Sequence, residues 1–332
     1  MSETPEDQDA LEPAEPTPAA RHRSPLLDLD GAVEADPPDA GVAAHYGSIA
    51  HEQRALEAGT AFVDLSHRDV VTVTGPDRLT WLHSLTTQHL EHLAPHQPTE
   101  ALLLTPRGRI EHAFAAIDDG ETFWMHTEPG AGPALADWLD RMRFMMRVEV
   151  ADVTDAWAVL GRPGLAWSIE SRADVAGWPE RHGTPAGIWA WEAQRIAAGH
   201  PRFGLDTDER TIPNEVGLLE RAVHLDKGCY RGQETVARVH TLGKPPRRLV
   251  LLHLDGSDNH LPAHGAALEL DGKTVGTLGS AARHHELGPI ALGVVKRNVP
   301  TDATLVVDGV AAAQDLVVDP EVGLHVRPRL HG

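Results

Sequence analysis

The only cysteine of this 332-residue chain, Cys229, lies in the octapeptide KGCYRGQE, Lys227 to Glu234. A lone thiol closes no internal disulfide, so Cys229 is not a staple. Its neighbours are Gly228, Gly232, Lys227 and Tyr230, whereas a filler thiol normally sits inside an apolar run. The two glycines permit positive φ or the close approach of a ligand. If Lys227 and Cys229 lie in extended chain, their side chains share a face. An ammonium beside a thiol favours the thiolate. After Gly232, QETVARV reads as a helix start with Glu234 in its first turn, and a thiol just ahead of a helix N-terminus gains a second reason to ionise. The candidate catalytic pair is therefore Cys229 and Lys227, with Gly228, Tyr230, Gly232, Gln233 and Glu234 completing the motif. The competing use of the same residues is a buried Cys beside a glycine-capped turn.

Other candidate chemistry is thinner. His83, His89, His92 and His96 are spaced 6, 3 and 4 apart in and after a predicted helix, a pattern that solvated surface histidines explain better than a metal site. Formal net charge is -20, from 49 acids against 29 Lys and Arg. Such a surface repels phosphate backbones, so direct nucleic-acid binding is not expected. A local basic patch at Lys244, Arg247 and Arg248 is placed to meet an anion. No stretch reaches the length of about 18 apolar residues that spans a bilayer. The acidic, proline-rich start is not a secretory signal, and one free thiol suits a reducing compartment, so the expected location is cytoplasmic.

The elements that must position the motif follow from pattern. Residues 1–40 are rich in Glu, Asp, Pro and Ala, and read as a disordered acidic tail. A first helix runs from His45 to Gly59. Asp69 to Thr74 alternates as a strand, and Gly75-Pro76-Asp77 opens a helix carrying Leu79, Leu82 and Leu85. Ala101 to Leu104 and Ile110 to Ile117 pair around the turn TPRG, followed by a strand from Thr122 to His126. Pro133 to Met142 is an amphipathic helix, Val148 to Val153 and Trp157 to Leu160 are strands, and Trp189 to Ala198 is a helix ending at Gly199. Past Pro245-Pro246, short strands at Arg248–Leu254, Ala267–Leu270, Thr274–Leu278, Ile290–Val295 and Thr304–Val307 imply a small antiparallel barrel. Asp271-Gly272 and Asp308-Gly309 supply hairpin turns. The expected organisation is α+β: a tail over 1–40, two interleaved α+β units over 41–245 and a β-barrel over 246–330.

KGCYRGQE resembles the signature of the YgfZ proteins, a branch of the folate-binding superfamily that includes the glycine-cleavage T-protein, an aminomethyltransferase. VDLSHRDVVTVTGPDRLTWLHSLTTQ (63 to 88), LLLTPRGRIEHAF (102 to 114), RIAAGHPRFGLDTDERTIPNEVGLL (195 to 219) and ARVHTLGKPPRRLVLLHL (237 to 254) resemble further segments, so the likeness runs from about residue 42 to 328. It implies a three-unit ring, with a tetrahydrofolate or a derivative in the central channel. The chain departs from the T-protein twice. In Gly108-Arg109-Ile110-Glu111-His112-Ala113, histidine and alanine fill the places of the paired aspartates. In Arg195-Ile196-Ala197-Ala198-Gly199, alanine replaces the pterin-anchoring glutamate.

A pterin needs a carboxylate or amide at its amino-pyrimidine edge, for which Glu215 and Glu192 are the candidates, as against solvated acids or helix caps. Arg109, Arg195 and Arg248 are the candidates for folate's anionic tail, each equally readable as a surface residue. Tyr230 either stacks on the ligand or packs in the core. The resemblance implies an accessory role in iron–sulfur cluster assembly or repair, serving client enzymes that include radical-SAM enzymes thiolating tRNA. One thiol is too few to hold a cluster. The alternatives are a folate-dependent aminomethyltransferase-like enzyme and, least, a tRNA-binding modification factor.

Overall fold

The computed structural model describes residues 21–257 and 260–324. Two short strands, β1 (Val33–Glu34) and β2 (Ala43–His45), pair before α1 (Ile49–Glu57). Then come β3 (Ala61–Asp64), β4 (Asp69–Thr74), α2 (Arg78–Leu85), β5 (Thr99–Leu104), β6 (Ile110–Asp118) and β7 (Thr122–Thr127). They are followed by α3 (Gly132–Met142), β8 (Glu149–Asp152), β9 (Trp157–Gly161), β10 (Trp167–Ser171), α4 (Trp178–His182), β11 (Thr184–Ala186), α5 (Ile188–Ala197), α6 (Leu219–Ala222) and α7 (Gln233–Leu242). The chain ends in β12 (Arg247–Leu254), β13 (Ala267–Leu270), β14 (Lys273–His284), β15 (Gly288–Lys296), β16 (Leu305–Val307) and β17 (Val310–Leu316).

These elements make three packed units. One is a five-stranded antiparallel sheet in the order β5-β6-β7-β4-β8, and another is a four-stranded sheet, β10-β9-β3-β11. The third is a closed six-stranded barrel, β12-β15-β14-β13-β16-β17. The α+β architecture with a C-terminal antiparallel barrel is as the sequence led one to expect. Both Asp-Gly hairpins have the expected backbone, with φ of +52° and +71° at Asp271 and Gly272, and +49° and +79° at Asp308 and Gly309.

The five-stranded sheet is buried on both faces, and the period of two in β5 shows how. Ala101 and Leu103 pack with Trp81 and Leu82 of α2 and Leu135, Trp138 and Leu139 of α3. Leu102 and Leu104 point the other way, into a cluster with Ile110, Val223, Tyr230 and Val236. That second face carries the cysteine motif on one side and a cavity on the other.

Two expectations change. Residues 21–40 are folded, while 1–20 lie outside the described residues. Leu26 and Leu27 are buried, Ser24 donates to Asp64, and Asp39 pairs with Arg202. Few apolar side chains sufficed because ion pairs and hydrogen bonds fasten the segment. The barrel also has a strand the pattern lacked, β17, where VAAAQDL is poor in β-branched residues. It pairs with β12 and β16 and closes the barrel.

Candidate functional site

The motif is an exposed loop pinned at both ends. Lys227 and Tyr230 turn inward, whereas Gly228, Cys229 and Arg231 are exposed. The expected same-face pair is therefore corrected: the ammonium is buried and the thiol faces outward. Lys227 Nζ donates to the carbonyl oxygens of His83, Thr86 (2.6 Å) and Gln88 (3.0 Å), where α2 ends. It thus satisfies carbonyls that a helix C-terminus leaves without partners. Burial pulls its pKa down to about 8. Tyr230 is core packing, buried with Leu102 and Val236, and the Lys227 ammonium lies 5.2 Å from its ring centroid. Burial pushes the Tyr230 hydroxyl up to about 12.

Gly232 has φ +82° and starts α7. A Cβ there would lie 2.5 Å from the Thr105 carbonyl oxygen and 2.9 Å from the Gly108 Cα. Gly108, at φ +76°, has Thr235 in the same relation, its Cβ only 2.6 Å away. Two glycines thus let the TPRG turn and the start of α7 touch backbone to backbone. Gly228 needs no such freedom, since its φ is ordinary and nothing lies near its missing Cβ. Arg231 pairs with Glu111 of β6 at 2.9 Å and lies over the Trp138 ring of α3 at 5.9 Å. Glu234 pairs with Arg238, both well exposed, and Gln233 opens the helix.

A cavity of about 540 Å³ opens between the two sheets and the segment after α5. Leu102, Ile110, Ala113 and Phe114 form one wall, with Trp167 and Trp191 among the residues opposite. Arg68 and His126 also line it, and both are buried. Neither ring nitrogen of His126 has a protein partner, nor does Arg68 Nε. Burial, with the Arg68 charge beside it, holds His126 down to about 3. The His126 and Trp167 ring centroids are 4.5 Å apart at 80°, and Arg68 lies 6.0 Å from the Trp191 ring. The amino-acid sequence singles out none of these four residues, because each sits on a different element and no shared spacing reveals them. Cys229 does not line this cavity.

A buried ion network runs along the cavity, and its members Glu128, Arg195 and Arg202 are part of the lining. Arg202 donates to Asp39, Glu128 and Glu192, and Arg195 to Glu192, Asp206, Ser280 and the His200 carbonyl oxygen. Asp39 comes from the N-terminal segment, Glu128 follows β7, Glu192 lies on α5 and Ser280 on β14, so the network ties all three units together. Surrounding cations, Arg202 above all, hold the Glu128 carboxyl down to about 2 against the opposing effect of burial.

Of the five expected ligand contacts, only Arg195 lines the cavity. Its guanidinium is fully engaged in the network, as is Glu192. Glu215 is buried, accepts from the Ile212 N–H and pairs with Arg247 at 2.8 Å. Arg248 is enclosed in the barrel, donating to the Val299 carbonyl oxygen and Gln314. Glu215 and Arg248 are thus corrected to structural roles, because both are shut away from the cavity. Arg109 is half-buried on the turn that meets Gly232. The basic patch is likewise engaged, Lys244 with Glu321 and Arg247 with Asp208 and Glu215. Ala113, where the resemblance implies a T-protein aspartate, lines the cavity with a methyl group. Ala197 packs in the core.

His89 contacts His83, His92 and His224 ring to ring. Among the described residues, ligand atoms close enough to share an ion come from Glu57, His284 and His285. His284 Nδ1 accepts from the Glu286 and Leu287 N–H groups, so its Nε2 carries the proton where an ion would need a lone pair. No helix among the described residues is long and apolar enough to cross a membrane.

Residues 38–164 match the GCVT N-terminal domain and residues 247–316 the CAF17 C-terminal beta-barrel domain. An Arabidopsis thaliana protein named "Putative transferase At1g60990, chloroplastic" is 26% identical over 79% of this chain and 72% of its own. An aminomethyltransferase of Thermotoga sp. is 25% identical over 77% of this chain and 83% of its own. The crystal structure of the glycine cleavage system aminomethyltransferase T from Bartonella henselae superposes with a TM-score of 0.74 at 18% identity, covering 90% of this chain and 96% of that one.

Proposed function

Because this chain belongs to the glycine-cleavage T-protein superfamily, in which it joins a GCVT domain to a CAF17-type barrel, we propose that it is a folate-binding accessory protein. In this reading the cavity takes a tetrahydrofolate or a derivative, and Cys229 meets iron–sulfur client enzymes or their assembly factors, among them radical-SAM enzymes that thiolate tRNA. Its place of work is the cytoplasm. The cavity volume of about 540 Å³ falls in the range of small-molecule sites. Two tryptophans offer apolar surface, and Arg195, Arg202 and Arg221 bring positive charge to the lining.

The observation that carries the accessory reading is Ala113. A T-protein-type transfer needs a carboxylate at the folate nitrogen, and here a methyl group occupies that wall. The lone thiol stands exposed on a rigidly anchored loop, outside the cavity. That placement suits a visiting protein better than a bound folate, through transient iron ligation or thiol exchange.

Calorimetric titration with tetrahydrofolate and its 5-formyl form tests the ligand, and binding is expected for wild type and for Cys229→Ala alike. The absence of binding by wild type would remove the folate reading. Cys229→Ser is expected to fold normally yet fail to support a client iron–sulfur enzyme; undiminished client activity would remove the thiol's role. The alternative, an aminomethyltransferase-like one-carbon enzyme, draws on the relatives that carry that name, and turnover of an aminomethyl-lipoyl carrier protein would establish it.

A further inference from the structure

We propose that the layer over α2 and the end of α3 is the face on which the client docks, and that this client is a protein with an apolar socket bordered by carboxylates. Phe144 and Met145 enter the socket, and the contact brings the client up to Cys229. The inference rests on the accessory reading of Cys229 and deepens it by naming what the partner must present.

Phe144 is 92% exposed and Met145 83%, with Met142 and Met146 also exposed beside them. Single apolar side chains on a surface are ordinary, whereas a run of this kind marks a contact. The tip is braced. Arg147 donates to Asp77 through its backbone N–H at 2.9 Å and its guanidinium at 2.6 and 3.0 Å. The Trp81 indole N–H donates to the Met142 carbonyl oxygen at 3.3 Å. Phe144 stands at φ +47°, a left-handed backbone that a bulky residue adopts only where its surroundings impose it. Aromatic and methionine side chains held out in this way are typical interface anchors.

The same layer carries the thiol. Asp77 and Trp81 brace the tip at the start of α2, and Lys227 fastens the cysteine loop to the carbonyls at its end. Arg231 lies over Trp138 of α3, the helix that leads into the tip. The eight residues of α2 span about 12 Å, so both ends fit within one protein interface. Charge then selects the partner. Arg143, Arg147, Arg231 and Arg238 each pair with an acid. Arg141 beside the tip, and Arg107 and Arg109 on the turn that meets Gly232, have guanidiniums without a partner among the described residues, as do the carboxylates of Asp137 and Asp226. Free guanidiniums around an apolar tip are complemented by carboxylates around an apolar socket. An anionic bilayer would meet those two acids and a net charge of -20. A two-fold contact between copies would set the arginine-bearing surface against itself.

The test measures binding of a purified, cluster-loaded radical-SAM enzyme that thiolates tRNA. The immobilised proteins are wild type, Phe144→Ser, the double variant Arg107→Glu with Arg109→Glu, and Leu316→Ser, an exposed apolar position on β17 outside the layer. Melting curves confirm that each variant is folded. Phe144→Ser is expected to weaken the complex by about tenfold or more, and Leu316→Ser to leave it unchanged. The arginine reversals are expected to slow association severalfold at about 50 mM salt and hardly at all at about 500 mM. Equal affinity of wild type and a folded Phe144→Ser overturns the proposal and leaves the accessory reading standing, whereas no binding by wild type overturns both. Self-association in sedimentation that Phe144→Ser abolishes would give the tip to a second copy. Flotation with phosphatidylglycerol vesicles that the same variant abolishes would give it to a lipid surface, and either result overturns the proposal.

Discussion

At Gly232 the backbone is left-handed and a side chain has no room, whereas at Gly228, four residues earlier, neither constraint holds. Spacing alone makes these glycines look alike. Position separates them: Gly232 lies against the carbonyl of Thr105 and the backbone of Gly108, and Gly228 faces open space. Gly232→Ala is expected to cost about 2 kcal/mol or more, from strained φ together with a clash against backbone that cannot yield. Gly228→Ala is expected to change stability by less than about 0.5 kcal/mol. Urea denaturation of the two variants checks this, and equal costs would mean that the loop does not sit on the TPRG turn. Cys229 illustrates the same limit of sequence reading. Its exposure follows from Lys227 and Tyr230 being drawn inward around it, and the residue types do not reveal which of the four turns in.

Lys227 is better understood as part of an element than as a chemical group. It ties the motif to the end of α2 by donating to three carbonyls, and no acid accounts for its burial. Lys227→Met keeps most of the volume and removes every donor, leaving buried acceptors unmet. The expected loss is roughly 2–4 kcal/mol, with faster hydrogen exchange at the end of α2 and in the loop. A variant as stable as wild type would show that those carbonyls find other partners. Elements of this kind were legible where pattern is strong. Asp69–Thr74 stands where alternation put it, and Ala267–Leu270 where a short run before the Asp271-Gly272 turn put it. The alanine-rich β17 was not legible, since barrel closure and not its own residues makes it a strand. The cavity was hidden for a related reason: Arg68, His126, Trp167 and Trp191 meet only when two sheets and α5 pack.

The whole molecule joins its three units through buried charge, and this sets its response to acid. Every described histidine with a displaced pKa is displaced downward, chiefly by burial: His83, His112, His126, His200 and His284. His126 stands at about 3 and His200 at about 4. As pH falls below 6.5 the unfolded chain takes protons at these positions that the folded chain refuses, so stability falls with pH. The carboxylates follow with the same sign. Glu128, held down to about 2, contributes stability above its ordinary pKa that is lost as pH drops toward 2. Asp39, held down by Arg202 and His67 despite its burial, behaves likewise. Loss of stability should therefore start in the histidine range, before ordinary carboxylates titrate, and amount to about 2–4 kcal/mol between pH 7 and pH 5. Scanning calorimetry over that interval would show Tm falling by roughly 3–6 °C. His200→Asn should flatten the slope, because it removes one imidazole that only the unfolded chain protonates. If Tm were level from pH 7 to pH 5, the buried histidines would have to be reached by water, and the joint between the sheets and the barrel would be looser than its ion pairs require.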